Sequence, residues 1–439
     1  MSATSNSVGK PGNPLLRLKA YYQLDGPQTL TLGFLAGNYF LCLLGYEIVR
    51  ASSNSLFIHH LGATSLPAVW AVSTVAVTLT VFLYNSLVRH LIFINLLLAS
   101  TVFFLLDLIV FYGFLVSRPD AFTVLAFYVW KDIHVVVLVE QVWSLANTLF
   151  RTTKAKGVYG LISAGGCLGA LTGNLLTGTL TSAFGTVGLL AASLAALAAM
   201  VGLQLAYRRR LHLFDVTEVQ ARAYTDSCSP ADGLKLVWNS NYLRLLAMML
   251  VLSQLVTVLL DLWFNLELER QVTGLDERTR VIGLVFAVIN ALAIVGQLGL
   301  GPWLLRRFDV LPCLFAYPLG IVLGLVGLLL VPGFAAIIAL KVFNKSMDYS
   351  LYRASKELLY IPLSYEVKYK AKATIDMFLY RLVKGIASGL MQLLVWASAA
   401  TLGPLIILLA ILCAAWSFVL VRLHAGYRRL EPRVRGGIE

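Results

Sequence analysis

Residues 91–115 read LIFINLLLASTVFFLLDLIVFYGFL, and Asp107 is the only charged side chain in this run. An α-helix needs about 20 consecutive apolar residues to cross the hydrocarbon core of a bilayer. Lipid offers the backbone no hydrogen-bond partners, so a single run of this kind must pair its own N–H and C=O groups as a helix. The run therefore predicts a transmembrane α-helix.

Apolar runs of the same kind recur along the whole chain. Of its 439 residues, 59% are hydrophobic and only 13% are charged, whereas soluble domains carry roughly 25% charged residues. Windows of about 17–25 apolar residues give twelve candidate spans, at 29–49, 66–87, 91–115, 120–147, 157–180, 185–207, 242–264, 281–301, 311–331, 334–351, 374–399 and 402–422. We therefore predict an all-α polytopic membrane protein with twelve transmembrane helices.

The basic residues predict how the spans are oriented. If the N-terminus is cytoplasmic, the cytoplasmic segments, together with Arg422 at the end of the last span, carry 24 of the 35 Lys and Arg residues, and the outer loops carry Arg50, Arg118, Arg270, Arg278 and Arg280. Cytoplasmic loops are the ones enriched in Lys and Arg, so we expect both termini on the cytoplasmic side of an inner (cytoplasmic) membrane. The net charge of +13 arises in these short loops and does not indicate a nucleic-acid partner.

The longest polar interruption of the chain, residues 208–241, leaves six predicted spans on either side. Two parallel six-helix repeats are the arrangement of major-facilitator transporters. The predicted organisation is a cytoplasmic N-terminal segment, a first six-helix half, a central cytoplasmic loop, a second six-helix half and a basic cytoplasmic tail, at 1–28, 29–207, 208–241, 242–422 and 423–439.

An internal repeat is consistent with this division. At an offset of 216 residues, Asp132 matches Asp348, and Gly169 and Gly173 match Gly385 and Gly389. Glycines at every fourth position let two helices approach closely, so we interpret them as packing positions. We hypothesise that Asp132 and Asp348 face each other across a cavity between the two halves.

Ionisable side chains inside the predicted spans indicate a functional site. At the bilayer centre each costs about 2.5–3.5 kcal/mol on insertion scales. In span 334–351, Lys341, Lys345 and Asp348 follow i, i+4, i+7 spacing and therefore share one helix face. Other spans contribute Asp132, Asp261, Asp376, Arg381 and Lys384.

These ionisable groups allow two interpretations. In the first, the basic residues line a polar cavity and bind an anion, while the acidic residues balance the charge or couple transport. The basic set is Lys341, Lys345, Arg381 and Lys384, and the acidic set is Asp132, Asp261, Asp348 and Asp376. In the second, they form ion pairs near helix ends, and the long Lys and Arg side chains extend to the lipid headgroups. We favour the cavity for the four cations, and a structural pair for Glu47 and Arg50 near a predicted span end.

The sequence carries no enzyme signature. It contains no GxxxxGK[ST] phosphate loop, no GxSxG elbow and no HExxH motif. Its five cysteines show no CxxC spacing, and four of them lie inside apolar runs, which argues against a disulfide framework and a zinc site. We therefore expect no catalytic residue, no metal and no cofactor.

Three stretches of the chain are distinctive. They read VWSLAN at 142–147 followed by KAK at 154–156, DLWF at 261–264, and KELLYIPL at 356–363 continued by KAKA at 370–373 and RLVKG at 381–385. Together they resemble the ATP/ADP translocase family, the nucleotide exchangers of intracellular bacteria and plastids, and more closely its relatives in free-living bacteria. The third stretch is the most specific, and the resemblance covers nearly all twelve spans.

The resemblance implies a major-facilitator-like antiporter whose basic cavity residues hold phosphate groups. Lys384 matches the family's basic position in the eleventh span, and Asp132 is similar to its acidic position in the fourth. Nucleotide exchangers of the family carry an Arg-Asp-Thr-Lys-Asp run at the end of the first span, where this chain reads RASSN at 50–54. Because the lysine is absent, an anionic solute follows from the resemblance but a polyphosphate does not.

The expected function is secondary active transport of an anionic organic solute, such as a nucleotide or another phosphorylated metabolite, by alternating access. Trp130, together with Trp143 and Trp263, offers a surface on which a base could stack. Two alternatives remain: a proton-coupled exporter of a lipid or amphipathic compound, and a non-transporting membrane scaffold or sensor. The expected partners are the small anionic solute and the lipid bilayer, and the sequence specifies no oligomeric state.

Overall fold

The computed structural model of the chain describes residues 26–88, 93–117, 119–150, 155–210, 230–363, 367, 371, 374–375, 379–396 and 402–435. All secondary-structure elements within these ranges are helices. Ten of them are long and apolar enough to cross a membrane, judged by length and composition. The chain is therefore an all-α polytopic membrane protein.

The first part of the chain forms six long helices that coincide with the first six predicted spans. They are α1 (Gly26–Leu61), α2 (Leu66–Val88), α3 (Phe93–Ser117), α4 (Ala121–Leu149), α5 (Ala155–Gly188) and α6 (Leu190–Arg210). A 3₁₀ turn, Ala63–Ser65, joins α1 to α2. The side chain of Asp120 caps α4 by accepting a hydrogen bond of 3.0 Å from the Thr123 N–H, as expected for an aspartate at this position.

The second part begins with a short helix inside the predicted central loop. Its helices are α7 (Pro230–Asn239), α8 (Asn241–Gln271), α9 (Leu275–Val295), α10 (Gly301–Arg307), α11 (Val310–Leu330), α12 (Phe334–Met347), α13 (Arg353–Leu358), α14 (Tyr380–Trp396) and α15 (Leu402–Arg435). Two π-helical turns, Gly296–Leu300 and Asp348–Tyr352, connect α9 to α10 and α12 to α13. The predicted spans 334–351 and 374–399 correspond to α12 with its π turn and to α14, neither of which is among the ten apolar helices.

Helix α1 is longer than the sequence indicates. The predicted span ends at residue 49, whereas α1 continues to Leu61. The polar side chains that follow are small and packed inside the protein, with Ser52 and Ser53 fully buried. A hydropathy window treats such residues as a loop because it cannot distinguish side chains that face water from those that face other helices. Arg50, placed in an outer loop by its sequence, therefore lies within α1.

The buried apolar side chains form two separate clusters. One joins α1–α6, with members from Leu32 to Tyr207, and the other has members from Val237 in α7 to Leu423 in α15. Ala51 of α1 packs into the second cluster. Because apolar side chains gain little from leaving lipid for another helix, close packing and polar contacts must hold the helices together.

Helices α1 and α5 approach each other through glycines. A Cβ at Gly165 would lie 2.6 Å from the Ala36 carbonyl oxygen, and one at Gly173 would lie 2.5 Å from the Leu44 carbonyl oxygen. A Cβ at Gly169, between them, would overlap the Phe40 carbonyl oxygen. The packing role predicted for Gly169 and Gly173 is confirmed, and Gly165 shares it. On α14, a Cβ at Gly385 would lie 3.0 Å from Thr74 Cγ2, whereas the described residues form no packing contact at Gly389, contrary to the prediction.

At one end of the bundle, which we call the sealed end, the corner between α5 and α6 meets the start of α9. Gly185 makes the corner with a φ of +69°. The next residue, Thr186, donates from its N–H and from its hydroxyl to Asp276 Oδ1, each over 2.7 Å. The Thr186 hydroxyl also lies 2.8 Å from Thr279 Oγ1. A single carboxylate on α9 thus fixes the α5–α6 corner.

Two further contacts close the sealed end. Glu269 Oε2, near the end of α8, accepts a hydrogen bond of 2.9 Å from the Ala63 N–H. Gly283 of α9 comes so close to Gly178 of α5 that a Cβ at Gly283 would lie 2.7 Å from the Gly178 nitrogen. Backbone thus packs against backbone between the two sets of helices at this end.

We predict that Gly169→Ala lowers the apparent melting temperature of the purified protein, because the added methyl group must push α5 away from α1. Overpacking of this kind costs about 1–3 kcal/mol. Gly389→Ala is the matched control, since no atom of the described residues lies within 4 Å of a Cβ built there. Equal melting temperatures of the two variants, measured by thermal unfolding in detergent, would contradict the close contact at Gly169.

Candidate solute-binding site

A cavity of about 300 Å³, which we call the deep cavity, lies between the two sets of helices. Helices α1, α2 and α4 line it from one side, and α8, α9, α12 and α14 line it from the other. Its charged lining side chains are Arg50, Lys131, Asp132, Asp261, Lys341, Lys345 and Lys384. Tyr128, Phe264 and Phe286 are among the aromatic side chains between them.

Asp261 of α8 is the acidic centre of the deep cavity. Its carboxylate forms an ion pair of 3.1 Å with Lys345 Nζ through Oδ2 and contacts Lys341 Nζ through Oδ1. The two lysines are one helical turn apart on α12, so both ammonium groups face α8. The Lys341 side chain is only 4% exposed and lies 5.2 Å from the Phe264 ring centre. One carboxylate therefore serves two buried cations.

A second ion pair lies across the cavity on α4. Lys131 Nζ is 2.9 Å from Asp132 Oδ1 and 3.5 Å from the centre of the Tyr128 ring. The Tyr128 hydroxyl is itself fixed, because it accepts a hydrogen bond of 2.8 Å from the Trp70 indole N–H of α2. The aromatic ring and the carboxylate hold the ammonium group at the cavity wall.

Arg50 of α1 completes the basic lining. Its guanidinium carbon lies 3.6 Å from the centre of the Phe286 ring of α9, a distance at which the cation and the ring attract each other. Glu47, one turn earlier on α1, pairs with Arg50 Nη2. Asn174 of α5 donates a hydrogen bond of 2.9 Å to the same carboxylate. Arg50 is thus in contact with both sets of helices.

The deep cavity carries an excess of positive charge. Five basic side chains line it against the two carboxylates of Asp132 and Asp261. Like charges in a low-dielectric site repel strongly unless water, a carboxylate or a bound anion offsets them. The described lining therefore favours a ligand that carries more than one negative charge.

A larger cavity of about 820 Å³, which we call the vestibule, opens beside the deep cavity. Residues of α1, α4, α5, α9 and α13 line it, among them Trp143, Asn290 and Glu357. The two cavities share Tyr46, Arg50 and Tyr349. A solute in the vestibule thus reaches the deep cavity past these three side chains, on the side away from the sealed end.

The two π turns meet beside Tyr349. Gln297 Nε2 in the first turn donates a hydrogen bond of 2.6 Å to the Tyr349 carbonyl oxygen in the second. Gly296 leaves no room for a side chain, since a Cβ there would lie 2.7 Å from Ser350 Cβ. π-helical turns disturb the regular backbone pairing and are frequent at functional sites. Here the Gln297 amide satisfies a carbonyl group at the junction of the cavities.

Only some of the site residues predicted from the sequence line the deep cavity. The structure brings Lys341, Lys345 and Lys384 to the deep cavity together with Asp132 and Asp261. Asp348 lies in the second π turn, and the described lining of either cavity contains its neighbour Tyr349 instead. Asp376 lies outside the described residues. Lys341 and Lys345 pair with Asp261 of another helix. The described residues show no contact between Asp132 and Asp348, which we expected to face each other across the cavity.

Two predicted solute-binding residues, Arg381 and Trp130, do not line the deep cavity in the described structure. Arg381 is one turn from Lys384 on α14, and its charge interacts with Glu140 of α4. The Trp130 ring stacks on His134 at 4.9 Å, and its indole N–H donates to Asp107 Oδ2 of α3 over 3.2 Å. Trp130 turns towards α3 because Tyr128, Lys131 and Asp132 occupy the cavity face of α4.

Sequence reasoning missed the position of Arg50 and the role of Lys131. The sequence places Arg50 near a span end, and of the run Lys131-Asp132 in the fourth span it singles out only the aspartate as a candidate site residue. A usable signal for Arg50 is the apolar run LFI at 56–58, which resumes directly after the small residues and indicates that the helix continues. For Lys131, the three-residue spacing from Tyr128 places ammonium and ring on one face.

Comparisons with known proteins agree with the resemblance read from the sequence. A model of the TLC ATP/ADP transporter family matches residues 317–427, which contain the KELLYIPL and RLVKG stretches. The ADP,ATP carrier protein 1 of Chlamydia muridarum is 24% identical over 435 aligned residues, which cover 83% of this chain and 82% of that carrier. The resemblance to the ATP/ADP translocase family is confirmed, and these relatives are carriers rather than enzymes.

Solved structures with a similar fold are transporters of the major facilitator type. The nucleoside transporter NupG aligns with a TM-score of 0.64 at 11% identity, over 90% of this chain and 98% of that one. A D-xylose–proton symporter aligns with a TM-score of 0.63 at 12% identity, over 89% and 96% of the two chains. At such identities the likeness shows the fold alone. The major-facilitator-like architecture expected from the sequence is thereby supported.

We predict that Asp261→Asn lowers the apparent melting temperature, because it keeps the side-chain shape but leaves two buried ammonium groups without their carboxylate. Removing one partner of a buried ion pair costs about 3–5 kcal/mol. Adding Lys345→Gln to this variant should recover part of the loss, since only Lys341 then remains uncompensated. Thermal unfolding tests this, and an Asp261→Asn protein as stable as the parent would show that the carboxylate does not hold the cluster.

Proposed function

We propose, from the charge of the deep cavity and the resemblance to ATP/ADP carriers, that this chain is a secondary active transporter of anionic organic solutes. Nucleotides or other phosphorylated metabolites are the solute class, and alternating access with exchange is the mechanism. The observation that carries this proposal is the deep cavity, where five basic side chains face two acidic ones between the two sets of helices.

The cost of buried charge supports an anionic solute. A charged side chain in the membrane interior is unfavourable by a few kcal/mol and is retained where it serves a site or a water-filled path. Asp261 and Asp132 compensate three of the basic side chains through the contacts described. Lys384 and Arg50 remain within reach of a ligand, and a phosphate group offers several acceptor oxygens to both.

We propose the full organisation of twelve spans in two halves, at 29–207 and 242–422. The tenth and eleventh spans are α12 with its π turn and α14, whose polar residues lower their hydropathy because they face the deep cavity. The two separate apolar clusters support this division. By the distribution of Lys and Arg, residues 1–28, 208–241 and 423–439 face the cytoplasm of an inner membrane.

With this orientation the vestibule opens towards the cytoplasm and the sealed end faces outward. The structure then corresponds to the inward-facing state of an alternating-access cycle. To face outward, the protein must break the contacts of Thr186 with Asp276 and of Ala63 with Glu269, and must close the vestibule between α4–α5 and α9–α13.

The arrangement of charges supports exchange. In the described part of the cavity, each ion pair lies within one half: Glu47 with Arg50, Lys131 with Asp132, and Asp261 with the two lysines of α12. Closing the vestibule on an empty cavity brings basic side chains of the two halves together, which is unfavourable. A bound anion offsets this repulsion. The loaded protein should therefore reorient more readily than the empty one, as an antiporter requires.

The position of the family's missing lysine is occupied by Ser53. This serine is fully buried, and its hydroxyl donates to the Arg50 carbonyl oxygen over 3.1 Å. The Ser53 hydroxyl thus bonds to the backbone of its own helix and contributes no charge to the cavity. A proton-coupled exporter, the alternative reading, requires a cavity dominated by carboxylates, whereas the two described carboxylates of the deep cavity are paired with lysines.

We predict that Lys384→Gln weakens anion binding about tenfold or more with little loss of folded protein, because it removes a repelling charge and not a packed apolar group. Lys384→Arg should be tolerated only in part, since a planar guanidinium does not replace a compact ammonium. The measurement is a thermal-shift titration with nucleotides, sugar phosphates and organic acids, in which a ligand of the folded state raises the melting temperature. Unchanged binding with reduced stability would make Lys384 a structural residue and would refute the anion site.

The proposed topology is tested separately. A reporter that is active only in the cytoplasm, fused after Glu439, should be active, and the same reporter inserted in the loop at 272–274 should be inactive. These two positions lie on opposite sides of the membrane in the proposed arrangement. The reverse pattern of activity would overturn the orientation and the assignment of the inward-facing state.

A further inference from the structure

Glu47 and Arg50 occupy the passage between the vestibule and the deep cavity. They lie one turn apart on α1 and pair through Glu47 Oε2 and Arg50 Nη2. Arg50 lines both cavities, whereas Glu47 lines only the vestibule. A solute that moves from the vestibule to the deep cavity therefore meets this pair on its path.

The carboxylate of Glu47 is held firmly at Arg50. Its side chain is 7% exposed, and Asn174 Nδ2 donates to the same Oε2 atom over 2.9 Å. Asn174 is itself oriented by a hydrogen bond of 2.9 Å to the Ala170 carbonyl oxygen of α5. Two donors from two helices thus fix the position of one negative charge beside the guanidinium.

The guanidinium of Arg50 has binding capacity left. Its plane is supported by the Phe286 ring at 3.6 Å, and its Nε–H is buried without a hydrogen-bond acceptor among the described residues. A guanidinium presents five N–H groups in a rigid fork that matches carboxylate and phosphate oxygens. A buried donor without an acceptor is unfavourable by about 1–3 kcal/mol, so an anionic group of the solute is a fitting partner.

We infer that Glu47 is a built-in competitor for the anionic group of the solute at Arg50, an inference that rests on the anion transport proposed above. In the empty site Glu47 neutralises Arg50. An incoming phosphate or carboxylate shares or takes over the guanidinium against the repulsion of the Glu47 charge, so binding is weaker than Arg50 alone would give. When the solute leaves, Glu47 recaptures Arg50, which favours release into the vestibule.

A purely structural pair makes different predictions. If Glu47 and Arg50 only join α1 to α5, removing either charge lowers the stability of the protein and leaves its affinity for anions unchanged. If they compete as inferred, the two substitutions change anion affinity in opposite directions. The sign of the effect of Glu47 therefore separates the two roles.

The test is a double-mutant cycle on the purified full-length chain, with binding of ATP and of inorganic pyrophosphate measured by calorimetry. Glu47→Gln should bind both probes about three- to tenfold more tightly, and Arg50→Gln about ten- to a hundredfold more weakly. In the double variant, Glu47→Gln should tighten binding less than it does in the parent, because only the direct repulsion between Glu47 and the anion remains when Arg50 is absent. Exchange by reconstituted Glu47→Gln protein should be slower than that of the parent, since release is slowed.

Glu267→Gln is the matched control. Glu267 forms an ion pair with Arg270 over 3.7 Å at the same i, i+3 spacing on α8, but neither residue lines the two cavities in the described structure. This variant should bind both probes like the parent. If Arg50→Gln fails to fold, Arg50→Lys preserves the charge and takes its place, with weaker binding expected and the same dependence on Glu47.

The outcomes separate this inference from the proposed function. If Lys384→Gln weakens binding but Glu47→Gln leaves it unchanged or weakens it, anion transport stands and the competitor role is refuted. The role is also refuted if Glu47→Gln tightens binding equally with and without Arg50. If the folded parent binds neither probe nor any other anion tested, the proposed function fails and the inference fails with it.

Discussion

Five basic side chains share one cavity among membrane-spanning helices, and the free energy of keeping them there constrains the rest of the structure. In a low-dielectric medium such charges must be paired, hydrated or bound to a ligand. Asp261 illustrates the first solution, because one carboxylate from α8 holds two ammonium groups of α12. That contact joins α8 to α12 and turns the charged face of each helix towards the deep cavity.

The charged deep cavity is accessible from one end of the helix bundle, through the vestibule. Helices α1 and α5 pack through glycines, and polar contacts around Asp276 close the opposite end. Packing and directed hydrogen bonds thus take the place of the hydrophobic effect, which does not drive helix association in lipid. Such contacts are discrete and can be exchanged for others, which suits a protein that must open each end in turn.

The sequence predicts the course of the helices well and the interior of the bundle less well. Hydropathy locates the long helices, because lipid-facing residues must be apolar along their whole length. It fails where a helix faces the cavity: α1 continues through a run of polar residues that was read as a loop, and Arg50 was misplaced as a result. The lysines at 341 and 345 were identified by their spacing, but their carboxylate, Asp261, is 80 residues distant from Lys341. Pairing between helices depends on tertiary packing that no local pattern encodes. For the same reason, the sequence does not reveal that Trp130 faces Asp107 of α3 and not the deep cavity.

The distribution of ion pairs connects the electrostatics of the cavity with the direction of transport. Within the described residues, the close ion pairs of the cavity lie inside each half, and Asp132 and Lys384 attract each other between the halves only at longer range. A bridge between halves would stabilise one empty conformation and would let the protein return without a load. Without it, the basic side chains of Arg50 on one half and Lys384 on the other repel each other as the halves approach, and an anion between them offsets that repulsion. A bound anion then contacts the basic side chains of both halves at once. The free energy of this binding favours anionic solutes, and it also permits the conformational change that carries the solute across the membrane.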